Sequence, residues 1–215
     1  MKPEKNKLLS PAAKYLSKVD PILGAAIEQI ELEENRKPNK NHLRSLVESI
    51  VSQQLSVKAA DTIFARFVEL FVAKGDIKTA RSFPTPAQLL NMSDAKLRSA
   101  GLSGGKVKYI KDLARKVEAK ELQLHRLQKM SDEEVVEHLV QVKGIGRWTG
   151  EMFLMFSLAR PDIFSHGDLG LRNAIIKLYK FKTIPTEKQI QKIVAKWSPH
   201  RTLASRYLWK SLNNE

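Results

Sequence analysis

The chain has 215 residues, and its 37 lysines and arginines against 23 acids give a formal charge of +14 and a pI near 9.9. That excess points to a polyanion, either nucleic acid or an anionic membrane surface; a membrane partner is not expected, because no run approaches the ~18 apolar residues of a spanning helix and Met1–Lys7 lacks an apolar signal region. The absence of cysteine excludes disulfides, zinc-thiolate sites and iron–sulfur clusters, and fits an intracellular, reducing compartment, nuclear in a eukaryote and cytoplasmic otherwise.

Basic tracts at Met1–Lys7 and Arg36–Lys40 read as solvated chain, with a nuclear signal as the alternative. Beyond them the pattern is helical nearly throughout. His42–Gln54 and Val57–Phe71 carry apolar residues at helical spacing. Thr85-Pro86-Ala87-Gln88 combines an N-cap, a proline at the first helical position and a glutamine placed to close a capping box. Ser93–Ala100 is a short helix ending at Gly101. Lys106–Lys120 sets Val107, Ile110, Leu113, Ala114 and Val117 against a basic face of Lys106, Lys108, Lys111, Arg115 and Lys116, which reads as solvated. Ser131–Glu134 is a second capping box, opening a helix to Gln141. Trp148–Leu158, Leu169–Tyr179, Thr186–Trp197 and Pro199–Leu212 complete an all-α set, without sustained strand alternation or a fixed-period repeat. Arg160–Gly167 places turn residues beside functional side chains, as expected of a cleft between helical groups.

The most informative segment is Val142-Lys143-Gly144-Ile145-Gly146-Arg147-Trp148-Thr149-Gly150, together with Ser165-His166-Gly167-Asp168. Gly144 and Gly146 let a helix–helix turn tighten and approach another surface. The first N–H groups of the helix that follows carry the positive end of its dipole, which suits an anion. Glycine as a mere helix cap is the bland alternative; Lys143 before the pair and Arg147 after it favour a DNA phosphate. No strand precedes the turn and no Gly-Lys-Ser/Thr follows, against a nucleotide-binding loop. The exposed carbonyls of Val140, Val142 and Ile145 are candidates to hold a monovalent cation, Na+ or K+. Asp168 reads first as an N-cap for the helix from Leu169, a role compatible with facing a substrate. Ser165 and His166 are adjacent and lack a third partner, against a hydrolase triad. Gln53 and Gln54 are candidates for base-edge contact or for filling the space of a displaced nucleotide, with exposed junction residues as the alternative. Trp197-Ser198-Pro199-His200-Arg201 is a turn able to wall a pocket, while Trp197 and Trp209 read individually as core.

Leu139 to Phe153 followed by Asp162 to Arg172 resembles the helix-hairpin-helix (HhH-GPD) DNA glycosylases, specifically the alkylation-repair, 3-methyladenine DNA glycosylase II type. Gln53 to Ser56 and Trp197 to Ala204 resemble two further blocks of that subgroup, so the likeness spans roughly residues 42 to 212. The resemblance implies that Asp168 is the catalytic aspartate and that the hairpin, Lys143 to Arg147, grips backbone phosphate. Trp148 stands where bifunctional relatives carry a Schiff-base lysine, which implies a monofunctional enzyme and an aromatic wall for a flipped base. Gln53 and Gln54 fall in the wedge, and Ser56, Met152 and His200 at the base pocket. Met152 and His200 replace aromatic rings found in some members.

The resulting expectation is a monomeric, all-α, two-lobed glycosylase fold. One lobe spans residues 42–155 with the hairpin at 142–147. The other combines 1–41 with 156–215 and turns Asp168 toward a cleft between them. Its partner is double-stranded DNA containing alkylated bases or abasic sites, and hydrolysis requires no cofactor. The alternative function is a catalytically weak or inactive homologue that binds abasic or distorted DNA. A general helix-hairpin-helix binding module accounts for the hairpin but not for the Asp168 block.

Overall fold

The structure is a computed structural model, and it describes residues 9–34, 37–72 and 83–212. The tract Met1–Lys7 and the Arg36 end of the second basic tract lie outside the described residues. Among those described there are helices and no strand. None of these helices is long and apolar enough to cross a membrane.

Two helices precede the first one predicted. α1 (Pro11–Val19) and α2 (Pro21–Gln29) each open on a capping side chain followed by proline. Ser10 Oγ accepts the Ala13 N–H at 3.1 Å and Asp20 Oδ1 accepts that of Leu23 at 3.2 Å. This is the signature also carried by Thr85-Pro86, and in helices of nine residues it is that local start signal, rather than periodicity, that marks the helix. α3 (His42–Ser52) stops short of its predicted end because Gln53 leaves helical geometry at φ −51°, ψ 130°. α4 (Val57–Glu69), α5 (Pro86–Asn91), α6 (Asp94–Ser99) and α7 (Gly104–Glu118) follow, capped in turn by Ser56, Thr85, Ser93 and Ser103. A 3₁₀ helix at Leu124–Lys129 leads to α8 (Asp132–Val140), where Ser131 and Glu134 close the predicted capping box. α9 (Arg147–Phe156) follows the glycine turn. α10 (Leu169–Leu178) is capped by Asp168. α11 (Glu187–Val194) opens on a third capping box and breaks into a 3₁₀ turn at Ala195–Trp197, and α12 (Arg201–Ser211) closes the chain.

The chain divides into two compact units, residues 39–153 and residues 1–38 with 154–215. In the first, α7 contacts α3, α5 and α6. Their facing residues Leu46, Ile50, Leu89, Leu97, Val107, Ile110 and Leu113 are buried. The second unit packs α1 on α2 and α10 on α12, around Leu16, Leu23, Ile27, Leu171, Ile175, Trp197 and Tyr207. Trp197 is fully buried, as read from the sequence, and its indole N–H donates to Asp20 Oδ2 at 3.0 Å. The Tyr179 hydroxyl donates to the same oxygen, and burial with this bond pushes the phenol up in pKa. Asp20 therefore both caps α2 and satisfies two buried donors, which a core must do for any polar group it encloses.

Candidate functional site

The glycine turn is built from short backbone bonds. The Val142 N–H reaches Leu139 O and the Ile145 N–H reaches Val142 O, each at 3.0 Å, and α9 begins as Gly150 N–H meets Gly146 O at 3.1 Å. Val142 and Ile145 are buried, while Lys143, Gly144, Gly146 and Arg147 are exposed. The two glycines answer to different demands. Gly144 sits at φ +81°, and a Cβ there would fall 2.1 Å from the Tyr109 ring, so the fold itself admits no side chain. Gly146 has an ordinary φ and nothing within 4 Å of its Cβ position; it leaves an open face that the fold does not require.

Side chains of α7 and of Gln53, just beyond α3, hold this backbone. Asp112 Oδ2 accepts the Lys143 N–H at 2.9 Å, and the Gln53 side-chain amide donates to Gly144 O at 2.8 Å. Arg147 is not the open cation its position implied. Its guanidinium binds both oxygens of Glu133, at 2.7 and 2.8 Å, and its Nε lies 3.2 Å from Glu151. These bonds raise the arginine pKa and lower that of Glu133. Lys143 is left as the exposed cation of the turn.

The basic face of α7 is solvated at Lys108 and Arg115 and differs from that reading at Lys106. Lys106 is half-buried, with Nζ 2.7 Å from Val51 O and 2.9 Å from Gln53 O, and burial lowers its pKa. Lys111 pairs with Asp94 at 2.6 Å, and Arg115 and Lys116 with Glu121 at 2.9 and 3.6 Å. Lys108 is exposed. Helical spacing shows which residues share a face but not which acids dock against it.

Gln53, Gln54, Trp148 and Met152 come together with Gly144 around a pocket of about 580 Å³, joined by Ser49, Ser52, Leu55 and Thr149. Gln54 is held in the left-handed region at φ +57°, where a non-glycine residue is strained. Trp148 is 49% exposed and Leu55 38%, so an aromatic and an aliphatic surface face solvent here. Ser56 is not among the lining residues; its hydroxyl caps α4 by accepting the Ala59 N–H at 3.4 Å. His200 belongs to the other unit. There it meets the Tyr15 ring edge-on at 5.3 Å and lines a cavity of about 440 Å³ with Arg160 and Arg206.

Asp168 takes the capping role read for it. It caps α10 and is buried at 7% exposure. Its Oδ1 accepts the Leu171 N–H at 2.7 Å and the Trp209 indole N–H at 2.9 Å. Trp209 was expected in the core; it is half-buried against Phe156, and its N–H holds the carboxylate. Gly170 makes room for this pair, since a Cβ there would lie 3.1 Å from Oδ1 and 3.2 Å from the Trp209 ring. Asp162 braces the start of α12 by accepting the Arg201 N–H at 3.1 Å and its Nε at 2.8 Å. Thr202 ties the same turn to Ile163 N at 3.0 Å and Arg160 O at 2.7 Å. The loop before Asp168 and the helix carrying Trp209 are thus fastened together. Ser165 is buried, and His166 Nδ1 lies 2.7 Å from a Glu187 carboxylate oxygen rather than forming a relay. Among the described residues, no three His, Cys, Asp or Glu side chains are grouped to hold a metal.

Residues 47–200 match the HhH-GPD superfamily of base excision DNA repair proteins. The chain is 36% identical over 192 residues to DNA-3-methyladenine glycosylase 1 of Schizosaccharomyces pombe, covering 85% of this chain and 79% of that one. It resembles the crystal structure of a Bacillus halodurans DNA-3-methyladenine glycosidase with a TM-score of 0.79 at 37% identity, covering 95% of this chain and 90% of that one. It also resembles the S. pombe 3-methyladenine DNA glycosylase in complex with abasic DNA, with a TM-score of 0.76 at 33% identity over 95% and 97% of the two chains.

Proposed function

The chain belongs to the HhH-GPD superfamily of base excision DNA repair proteins, and from that premise we propose that it is a monofunctional DNA glycosylase that hydrolyses the N-glycosidic bond of alkylated purines such as 3-methyladenine. The observation that carries this reading is the Asp168 carboxylate, buried at the head of α10 and aimed by two donors on one oxygen. A methylated purine carries positive charge and already leaves well, so the enzyme has mainly to stabilise the oxocarbenium-like sugar left behind. A carboxylate about 4 Å from that charge, at an effective dielectric near 20, contributes roughly 4 kcal/mol. That corresponds to about a thousandfold in rate. The same carboxylate accepts a proton from attacking water. Because the bond is shielded in the duplex, the nucleotide must first leave the stack; exposed Trp148 offers a face on which the base stacks, and Gln54 fills the vacated space.

The partner in this reading is double-stranded DNA, held by the exposed backbone at Gly146 and by Lys143. The carbonyls of Val140, Val142 and Ile145 would hold a Na+ or K+ ion whose charge adds to the phosphate anchor. Val142 O spends one lone pair on the Ile145 N–H and keeps the other. The non-catalytic reading rested on Met152 and His200 in place of aromatic rings, and it is not favoured by relatives at 33–37% identity that bear glycosylase or glycosidase names.

Two measurements test the proposal. Wild type should release methylated purine from alkylated duplex above the spontaneous rate, and Asp168→Asn should lose that release while still binding an abasic duplex. Wild type that binds abasic DNA yet releases no base from several lesions would sink it. Separately, borohydride should trap no protein–DNA adduct, since Trp148 supplies no amine for an imine; efficient trapping abolished by a lysine substitution would contradict monofunctional chemistry.

A further inference from the structure

Lys106, Tyr109 and Asp112 stand three residues apart on α7 and so share one face. Each touches a segment on either side of the pocket that holds Gln54 and Trp148. The Lys106 ammonium binds the carbonyls of Val51 and Gln53, at 2.7 and 2.9 Å, where α3 runs out of its own donors. The Tyr109 ring fills the space beneath Gly144. Asp112 takes the Lys143 N–H at 2.9 Å. The loop closes through Gln53, whose amide spans 2.8 Å to Gly144 O. Directly after Gln53, whose carbonyl Lys106 holds and whose amide holds the hairpin, comes Gln54, in the left-handed region. A strained residue of that kind persists only when its surroundings over-determine it.

We propose that this face of α7 is a clamp that locks the Gln53–Leu55 turn and the hairpin into one rigid reader of a displaced nucleotide, with Lys106 as its positioning residue. The proposal rests on the glycosylase reading above. A lysine serving as a phosphate contact would keep its ammonium in water; this one is withdrawn onto two backbone carbonyls. Its work is therefore to present Gln54 in a fixed place beside a hairpin that grips phosphate on any duplex. Binding of undamaged duplex, which needs no insertion, does not call on the clamp.

The test uses the full chain with Lys106→Met, Lys106→Arg and Gln53→Ala. It measures affinity for undamaged and abasic duplexes across salt, single-turnover release from methylated duplex, and the fluorescence of 2-aminopurine placed beside the lesion. Lys106→Met should leave undamaged-duplex affinity and its salt slope unchanged while lowering the abasic preference, the 2-aminopurine signal and base release by about tenfold, the scale of losing a hydrogen bond to a charged group. Lys106→Arg should recover part of the loss. Gln53→Ala should act in the same direction, and the double variant Lys106→Met with Gln53→Ala should be little worse than Lys106→Met alone, because both act on one element. The proposal is overturned if Lys106→Met instead reduces undamaged-duplex affinity and flattens the salt slope by about one phosphate contact with the abasic preference intact. If Lys106→Met does not fold, Gln53→Ala decides: an unchanged abasic preference there also overturns the clamp. A wild type that releases no base would end the glycosylase reading, while the abasic preference would still report on the clamp.

Discussion

The hairpin and the Asp168 corner are held in opposite ways. At the hairpin, side chains hold backbone: Asp112 takes an N–H, Gln53 donates to a carbonyl, and Tyr109 packs where a side chain would be. At Asp168, a helix N-terminus and an indole hold a side chain. The first arrangement presents peptide groups that suit any phosphate, whatever the base attached to it. The second presents a single charge at a defined point, which matters only where charge develops during reaction. Substitutions at the hairpin should therefore act on binding or stability, and those at the Asp168 corner on rate.

The largest expected effect is on chemistry. Asp168→Asn keeps the cap and the shape but removes the charge, so single-turnover release should fall by about a thousandfold, with abasic affinity within about twofold of wild type, the ~0.4 kcal/mol scale of a change that leaves the phosphate grip alone. An equal loss in both measurements would erase the distinction between the two regions. Next comes Gly144→Ala, which forces a Cβ into Tyr109 at positive φ and should cost about 1–3 kcal/mol of stability, seen as a lowered thermal midpoint. Its neighbour sharpens the comparison: Gly146→Ala should melt like wild type and yet bind duplex less tightly, because only the approaching partner meets its methyl group. Unchanged affinity in Gly146→Ala would remove that open face from the interface.

Trp209→Phe keeps a ring against Phe156 but deletes the N–H to Oδ1. Release should slow by about tenfold through misaimed carboxylate, while duplex affinity holds; a loss confined to affinity would move Trp209 from the chemistry to the interface. The smallest effect belongs to Glu133→Gln. Weakening the fork on Arg147 frees a guanidinium beside the hairpin, so duplex affinity should rise a few-fold and the salt slope steepen by about one unit. No change in slope would show that Arg147 stays turned toward Glu151 whatever happens at Glu133.

Most of the helices could be read from the sequence because a helix declares itself within one or two turns. Ser131 and Glu134 close their capping box over three residues, as do Thr85 and Gln88. The predicted set omits α1 and α2, although Ser10-Pro11 and Asp20-Pro21 carry the same start signal as Thr85-Pro86. The residues of the candidate site divided along similar lines. Gly144, Gly146 and Asp168 stood out because a turn and an N-cap are local needs. Ser56 is placed at a pocket by the resemblance alone, while its hydroxyl accepts the Ala59 N–H as the cap of its own helix.

By itself the sequence determined the helical starts, the tight turn at Gly144, and a carboxylate at the head of α10, since each depends on groups no more than a few residues apart. Only the tertiary structure decided what those groups touch. Trp209 reaches Asp168 across 41 positions, Lys106 reaches Val51 across 55, and Gln53 reaches Gly144 across 91. Arg147 loses its open charge to Glu133, fourteen residues back. No periodicity encodes such pairs, because they depend on how helices dock, and docking is governed by buried apolar faces that do not specify in advance which polar side chains will meet at their rims.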